Sequence, residues 1–283
     1  MAELKPFTII YEDDSIIAVN KASGIAVVGE RWDEEAPRLD LLLRQELHSR
    51  KKESAAPEHF AESRQPPFVV HRIDKESSGL VVFAKDCETH KKLSAAFESR
   101  QVEKIYLAVI HGRPSWPGGK TSCALPLVPD GNKKHLTIID SYQGKPSHTD
   151  FTLLLSAGNY SVVEARPKTG RTHQIRVHLS GLGHPIVCDP LYGRHVRSNG
   201  KAKNGEKGIY LSSFKHDWRG DALEERPLLD RLGLHALRLS FTAKLPTPAV
   251  NLPATDGDFN LEAPLSRDMA ALLKQMEKYG KKY

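Results

Sequence analysis

The chain has 283 residues, of which 39% are apolar, and this is long enough for one large domain or two small ones around a hydrophobic core. No run approaches the roughly 18 apolar residues that span a bilayer, and no signal-peptide core is present, so a cytoplasmic protein is expected. The formal charge of +6 favours a polyanionic partner. The three cysteines lack the Cys-x-x-Cys spacing of a zinc site or redox pair.

In chain order, the pattern of apolar and turn residues predicts strands at 7–11 and 16–19, a helix at 38–48, and strands at 68–70 and 80–84. A helix from Asp86 to about residue 100, strands at 105–110, 150–155 and 160–165, a helix at 172–182, a strand at 232–241 and a helix after Ser266 are predicted next. Asp86 and Ser266 are expected to cap the helices that follow them, and Gly183 is expected to end the helix at 172–182. The polar stretch 49–67 is expected to be an exposed connection. Several strands with few helices between them favour an α+β fold.

One candidate motif lies in the loop expected at 71–79. The segment His71-Arg72-Ile73-Asp74 places a guanidinium and a carboxylate two residues apart. Taken alone, such a pair is more often a structural ion pair in a turn.

A second motif is Thr169-Gly170-Arg171-Thr172-His173-Gln174-Ile175-Arg176, in which a turn leads into the predicted helix at 172–182. This helix carries more basic groups than a structural helix needs. An arginine there can hold a carboxylate ionised by lowering its pKa by roughly 1 to 3 units.

These two motifs resemble the RluA-type RNA pseudouridine synthases in their residues, order and spacing. The segments around Lys104-Ile105-Tyr106 and from Gly183-His184-Pro185 to Tyr192-Gly193 share the resemblance, which runs from about residue 8 to about residue 245. It implies a pseudouridine synthase fold with a central mixed, mainly antiparallel sheet flanked by helices and loops. It also implies an enzyme that isomerises specific uridines in structured ribosomal or transfer RNA to pseudouridine.

The resemblance assigns roles to individual residues. It implies that Asp74 is the catalytic group, that Tyr106 stacks on the flipped uracil and takes part in proton removal, and that Arg176 pairs with Asp74. Arg72 is expected to fill the space that the flipped uridine leaves, which offsets part of the stacking energy lost. The other motif residues are expected to bind the substrate: His71, Arg171, His173 and Gln174.

The implied reaction explains why so few groups are needed. The base leaves C1′ through N1 and returns through C5, without net oxidation and without an external group. The side chain of aspartate ordinarily has a pKa of about 3.9, so an aspartate carboxylate is charged at neutral pH and can act as a nucleophile or as a base. No metal and no other cofactor is therefore expected. Attack on the base, attack on the sugar and removal of the 2′ proton all remain open.

We predict one catalytic domain over residues 1–283, acting as a monomer, with no separate N-terminal RNA-binding domain of the S4 type. The segments 30–67 and 194–230 are longer than the family pattern, and 194–230 is predicted to be a variable insertion. Residues 21–24 read Lys-Ala-Ser-Gly where the family usually has Lys-Pro-x-Gly. Cys188 stands where the family commonly has glycine, and Ser77 where it usually has threonine.

Two other functions are weighed against this one. The first is a metal-dependent hydrolase, whose ligands would come from these residues: His71, His173, His178, His184 and His195 with Asp74 or Asp189. Against it, the sequence contains no His-Glu-x-x-His pattern. A non-catalytic RNA-binding protein on a degenerate synthase fold would explain the charge, but the basic runs are not interleaved with aromatic residues. The basic clusters at 50–52, 133–135, 194–207 and 278–282 are alternatively solvated loop surfaces.

Overall fold

A computed structural model of the chain describes residues 5–29, 37–52, 66–131, 136–193, 197–198, 201–202, 208–215, 217–221, 224–241 and 259–283. The predicted connection at 49–67 and the predicted insertion at 194–230 therefore lie partly outside the described residues. The basic cluster at 133–135 falls outside them altogether, as do Arg194, His195, Lys203 and Lys207.

In chain order the elements are β1 (Phe7–Glu12), β2 (Ile16–Lys21), α1 (Leu39–Lys52), β3 (Phe68–Val69), β4 (Ser78–Ala84), α2 (Cys87–Glu98), β5 (Val102–His111), β6 (Lys120–Cys123), β7 (Leu127–Pro129), β8 (Thr137–Ile139), β9 (Thr149–Ala157), β10 (Tyr160–Pro167), α3 (Gln174–Gly181), β11 (Arg197–Ser198), β12 (Lys201–Ala202), β13 (Leu234–Phe241), β14 (Phe259–Glu262), α4 (Arg267–Tyr279) and β15 (Lys281–Lys282). In the described part of the chain, no helix is long and apolar enough to cross a membrane.

The chain divides into two compact units. The first comprises Met1–Glu103 and Ala236–Pro264, and the second comprises Lys104–His235 and Leu265–Tyr283. Both are built on antiparallel strand pairs, and a parallel bridge joins Ala26 and Arg38 in the first. The expected α+β class is confirmed.

In the first unit, β2 pairs with β1 on one side and with β4 on the other. Alternate residues along a strand point to the same face, so Ile16 and Ala18 lie with Leu80 and Val82 in one apolar cluster. Helix α2 contributes Leu93 to this cluster. The core of this unit therefore holds β4 in place directly after the loop that carries Asp74.

Helix α2 begins where the sequence predicts. The carboxylate of Asp86 accepts hydrogen bonds from the backbone N–H of Thr89 at 2.8 Å and from its hydroxyl at 2.5 Å. The first of these satisfies a donor that the first turn of a helix leaves without an intrahelical partner.

In the second unit, β10 lies between β5 and β9, with Tyr106 opposite Ala165 and Thr149 opposite Pro167. Strands β6 and β15 pair with β9. The sequence pattern does not predict β6, β7, β8, β14 or β15, because these strands are short or polar and are stabilised by pairing with neighbours.

Helix α3 carries Arg176 and ends in a glycine cap. Gly183 has a φ of +82°, its N–H donates to Ser180 O at 3.0 Å, and the N–H of His184 donates to Leu179 O at 2.9 Å. This pair of bonds is the Schellman motif, which needs a residue in the left-handed region after the helix. The predicted role of Gly183 is confirmed.

Helix α4 starts after Ser266 as predicted, but the hydroxyl of Ser266 makes no cap hydrogen bond. It accepts a hydrogen bond of 2.5 Å from Arg231 instead, and the carboxylate of Asp268 accepts from the N–H of Met269. A bidentate pair between Arg231 and Asp268 completes this arrangement. The expectation that Ser266 caps the helix is therefore wrong, because a nearby guanidinium takes the hydroxyl oxygen.

Candidate functional site

The loop that carries Asp74 runs from Val70 to Ser77, since β3 ends at Val69 and β4 begins at Ser78. Ile73 is buried with 7% of its surface exposed, whereas Arg72 is exposed and Asp74 is half-buried. The apolar residue thus anchors the loop between two charged neighbours.

His71 is anchored by its own contacts. Its Nε2 accepts a hydrogen bond of 2.9 Å from the backbone N–H of Val82, and its ring stacks on Phe97 with 4.6 Å between centroids. Nε2 is therefore unprotonated, and the ring ties the start of the loop to β4 and α2. These contacts show a structural role, and substrate binding by His71 stays a prediction.

A buried lysine holds the other end of the loop. Lys21 is only 1% exposed, and its ammonium donates to the carbonyl oxygens of Ile25 at 2.7 Å, Lys75 at 3.0 Å and Ser77 at 2.7 Å. Lys75 and Ser77 lie on the C-terminal side of Asp74. The ammonium therefore fixes the backbone next to the carboxylate.

Two further bonds tie the same segments together. The hydroxyl of Ser23 donates to Glu76 O at 2.5 Å, and the N–H of Gly24 donates to Lys75 O at 2.8 Å. In the sequence, residues 21–24 stand out only as a segment shared with the family. Their role in holding the Asp74 loop depends on contacts between distant segments, which no local pattern shows.

Gly79 follows the loop at a φ of +113°, and a Cβ built there would clash with the carbonyl oxygen of Ala236. Only glycine permits both this backbone conformation and this close approach to β13. The position of the backbone after the loop is therefore set by its packing against β13.

In the second unit, Arg176 forms a fully buried ion pair with Asp189. Nε of Arg176 donates to Oδ2 of Asp189 and Nη2 donates to Oδ1, both at 2.8 Å, and both side chains are 0% exposed. Oδ1 of Asp189 also accepts from the N–H groups of Leu191 and Tyr192. The sequence offers Asp189 only as a candidate metal ligand, whereas the structure identifies it as a buried partner of Arg176.

Tyr192 connects three of the surrounding groups. Its ring centroid lies 5.2 Å from the guanidinium carbon of Arg176, and its hydroxyl accepts from the N–H of Thr137 at 2.9 Å. The same hydroxyl lies 2.9 Å from Nδ1 of His173. Tyr192 thus links the guanidinium of Arg176 to Thr137 in β8 and to His173 at the start of α3.

Gln174 is buried at the start of α3, with 4% of its surface exposed. Its amide oxygen accepts from the hydroxyl of Thr169 and from the N–H of Arg171, and its amide nitrogen donates to His148 O and Thr149 Oγ1. All four hydrogen-bonding positions of the amide are engaged inside the unit. These contacts hold the turn that carries Arg171, and binding of substrate by Gln174 itself stays a prediction.

The network continues to His178, which is fully buried. Nδ1 lies 3.0 Å from Thr149 Oγ1, and Nε2 lies 2.8 Å from Ser147 Oγ and 3.1 Å from Leu125 O. Burial lowers the pKa of His178 below its usual value. The hydrogen bond to Leu125 O raises this pKa and electrostatic repulsion from His148 lowers it, but burial is the largest effect. His178 is therefore a neutral structural residue.

The structure brings together the predicted site residues of the second motif. Arg171, His173, Gln174 and Arg176 lie around the start of α3, and Tyr106 lies on β5, half-buried against the apolar core of the same unit. The first unit holds the residues of the other motif, which are His71, Arg72 and Asp74. The pairing of Arg176 with Asp74 stays a prediction.

Where the structure describes the chain, no three of its His, Cys, Asp and Glu side chains are placed to hold a metal ion. Two of the residues considered as ligands have other partners: Asp189 binds Arg176, and His178 contacts hydroxyl groups. Asp189 and its neighbours instead hold a guanidinium in place.

Comparison with known proteins agrees with the motifs. The sequence pattern of the family described as RNA pseudouridylate synthase matches residues 15–181. The ribosomal large subunit pseudouridine synthase D of Zymomonas mobilis is 30% identical over 96% of this chain and 73% of its own length. The ribosomal large subunit pseudouridine synthase C of Vibrio vulnificus is 32% identical over 98% of this chain and 71% of its own length. Synthase D of Borreliella burgdorferi is 35% identical over 67% of this chain and 55% of its own length.

Solved structures show a similar fold. Human RNA pseudouridylate synthase domain containing 4 has a TM-score of 0.61 and 24% identity, over 95% of this chain and 92% of the human chain. Human RNA pseudouridylate synthase domain containing 1 has a TM-score of 0.56 and 24% identity, over 98% of this chain and 97% of the human chain. At this identity the likeness concerns the fold alone.

Proposed function

Because this chain belongs to the RluA-type RNA pseudouridylate synthase family and is an RNA pseudouridine synthase, we propose that it modifies specific uridines of ribosomal RNA with Asp74 as the catalytic group. One observation supports this choice of RNA: relatives that match nearly the whole chain are named ribosomal large subunit synthases. Transfer RNA, which the sequence leaves equally open, is the second substrate to test. The comparisons give no support to a non-catalytic protein.

The proposed reaction balances without any other reagent. The C1′–N1 bond of the uridine breaks and a C1′–C5 bond forms. The hydrogen on C5 passes to solvent, and N1 takes up a proton. Asp74 acts either as the nucleophile or as the base in this exchange, and Tyr106 takes part in removal of the proton.

Arg176 is proposed to keep Asp74 ionised. A guanidinium has five N–H donors. Two of the three guanidinium nitrogens of Arg176 donate hydrogen bonds to Asp189. One planar guanidinium can thus serve two carboxylates. Asp189 and the ring of Tyr192 hold the guanidinium in one orientation, which is the preorganisation that an electrostatic role requires.

RNA is proposed to bind through the remaining motif residues. Arg72 is exposed on its loop, which suits a cation that fills the gap left by a flipped nucleotide. Arg171 and His173 lie at the start of α3 and suit contacts with phosphate. We further propose that the enzyme acts as a monomer, and in the cytoplasm, where it would meet a ribosomal substrate.

The experiment that tests this function is release of tritium into water from RNA labelled at C5 of uridine. We expect release from large-subunit ribosomal RNA by the unmodified protein and none by Asp74→Asn, which should still bind the RNA. Asp14→Asn is the matched control, because Asp14 is an exposed carboxylate outside the motifs. Release only from transfer RNA would overturn the proposed substrate, and equal release by Asp74→Asn would overturn the proposed role.

A further inference from the structure

Exposed apolar side chains of the second unit concentrate on the hairpin formed by β7 and β8. Among the described residues four large hydrophobic side chains are exposed, and three of them are Ile138 at 40%, Ile139 at 38% and Tyr142 at 100%. The fourth, Tyr283, is the last residue of the chain. We call residues 138–142 the hairpin patch. Apolar side chains grouped in this way on a surface are typical of a binding site.

The turn that presents Tyr142 is held in one conformation. The carboxylate of Asp140 accepts from the N–H of Tyr142 at 2.7 Å and of Gln143 at 2.9 Å, and its carbonyl accepts from the N–H of Gly144 at 3.0 Å. A Cβ on Gly144 would clash with that carbonyl, so the turn is tightly closed. Tyr142 is thus displayed on a preorganised support, which lowers the entropy lost on binding.

Two contacts attach the hairpin to predicted RNA-binding residues. The N–H of Thr137, in β8, donates to the hydroxyl of Tyr192 that also binds His173. After the turn, the carbonyl of Pro146 accepts a hydrogen bond of 3.2 Å from Nε of Arg171. Tyr142 follows Thr137 closely in the chain, and five residues span at most about 18 Å. The hairpin patch therefore lies within a few nucleotides' reach of the proposed RNA site.

The charges beside the patch suit a polyanion. Lys145 is exposed shortly after Tyr142, and Arg171 contacts the same segment. The one carboxylate within the patch, Asp140, fixes the turn, and its bonds from the backbone N–H groups of Gln143 and Tyr142 lower its pKa. The surface thus combines basic groups for phosphate with an aromatic face.

We propose that the hairpin patch binds RNA, with the ring of Tyr142 stacked on an unpaired base of the substrate and Ile138 packed beside it. This inference rests on the proposed function, since its ligand is the RNA of that reaction. Aromatic rings stack on unpaired bases of any identity, and basic groups beside them hold the backbone. A protein partner fits less well, because a stable protein interface takes about 20 to 30 residues a side.

Tyr142→Ala tests the proposal, with Tyr283→Ala as the matched control, because both remove an exposed tyrosine ring. Binding of large-subunit ribosomal RNA is measured by filter retention at fixed salt. We expect Kd to rise about tenfold for Tyr142→Ala, which corresponds to about 1.4 kcal/mol and lies within the range for one stacked base. Tyr142→Trp should restore tight binding, and Tyr283→Ala should leave Kd unchanged.

Fluorescence of Tyr142→Trp gives a second readout, and we expect quenching by RNA that Tyr283→Trp does not show. An unchanged Kd for Tyr142→Ala, or a loss that Tyr142→Trp does not restore, would overturn the proposal. The proposed function fails separately, through absence of tritium release by the unmodified protein. If the unmodified protein binds RNA without releasing tritium and Tyr142→Ala weakens that binding, the patch is supported and the enzyme assignment is not.

Discussion

The guanidinium of Arg176 and the carboxylate of Asp189 meet through two hydrogen bonds of 2.8 Å, with neither side chain exposed to solvent. Bidentate geometry and complete burial make this pair sensitive to loss of either member, because the remaining charge would be left without its partner away from water.

We expect Arg176→Ala to lower the free energy of unfolding by about 3 to 5 kcal/mol and to reduce activity strongly. Urea denaturation measures the first effect, and tritium release measures the second. The double variant Arg176→Met with Asp189→Leu should lose less stability than the sum of its single variants, since it removes both charges together. Additive losses in this cycle would contradict the pairing.

Lys21→Met should destabilise the first unit by about 3 kcal/mol, because it leaves several carbonyl oxygens without the ammonium that they bind. Activity should fall further than the folded fraction does, since two of those carbonyls belong to the Asp74 loop. Lys91→Met is the matched control, because Lys91 is exposed on α2. If the folded fraction alone accounts for the lost activity, Lys21 stabilises the fold without positioning the loop.

Gly79→Ala should cost about 3 kcal/mol or more, because the new methyl group meets the backbone of Ala236 at a φ that alanine rarely adopts. The measurement is the midpoint of urea unfolding. Gly131→Ala provides the comparison, since a Cβ at Gly131 would meet nothing within 4 Å. We expect that variant to stay within about 1 kcal/mol of the unmodified protein. Equal midpoints for the two variants would contradict the close approach of β4 and β13.

Stability should depend on pH through His178. Burial lowers the pKa of His178 in the folded protein, whereas the unfolded chain titrates near the ordinary value of about 6.5. The unfolded state therefore binds more protons below that value, and the free energy of unfolding falls as the pH decreases, by at most about 1.4 kcal/mol per pH unit from this group.

Comparison with His178→Gln isolates this contribution. Glutamine cannot titrate, so the variant should be less stable at neutral pH and should lose less stability than the unmodified protein as the pH falls from about 6.5 to about 5. Parallel pH profiles for the two proteins would show that His178 does not remain neutral in the folded state.

Features that depend on neighbouring residues could be predicted from the sequence. The cap of α2 at Asp86, the end of α3 at Gly183 and the loop after β3 follow from local periodicity and from the hydrogen-bonding ability of single residues. The two motifs also sufficed for the family, since their order and spacing are properties of the chain alone.

The partners of buried polar groups could be identified only in the folded chain. Asp189 follows Arg176 by thirteen residues, and Lys21 precedes the carbonyls of Lys75 and Ser77 by more than fifty, so no local pattern indicates either contact. The hydroxyl of Ser266 also finds a partner that is remote in the chain. The position of Ser266 predicts that it caps α4, but its hydroxyl accepts a hydrogen bond from Arg231 instead. Interactions between chain neighbours, such as helix caps, contribute a few tenths to about 1 kcal/mol each, and they determine where helices and turns form. A buried polar group without a hydrogen-bond partner costs about 1 to 3 kcal/mol, so the folded chain must bring such groups together with partners from remote segments.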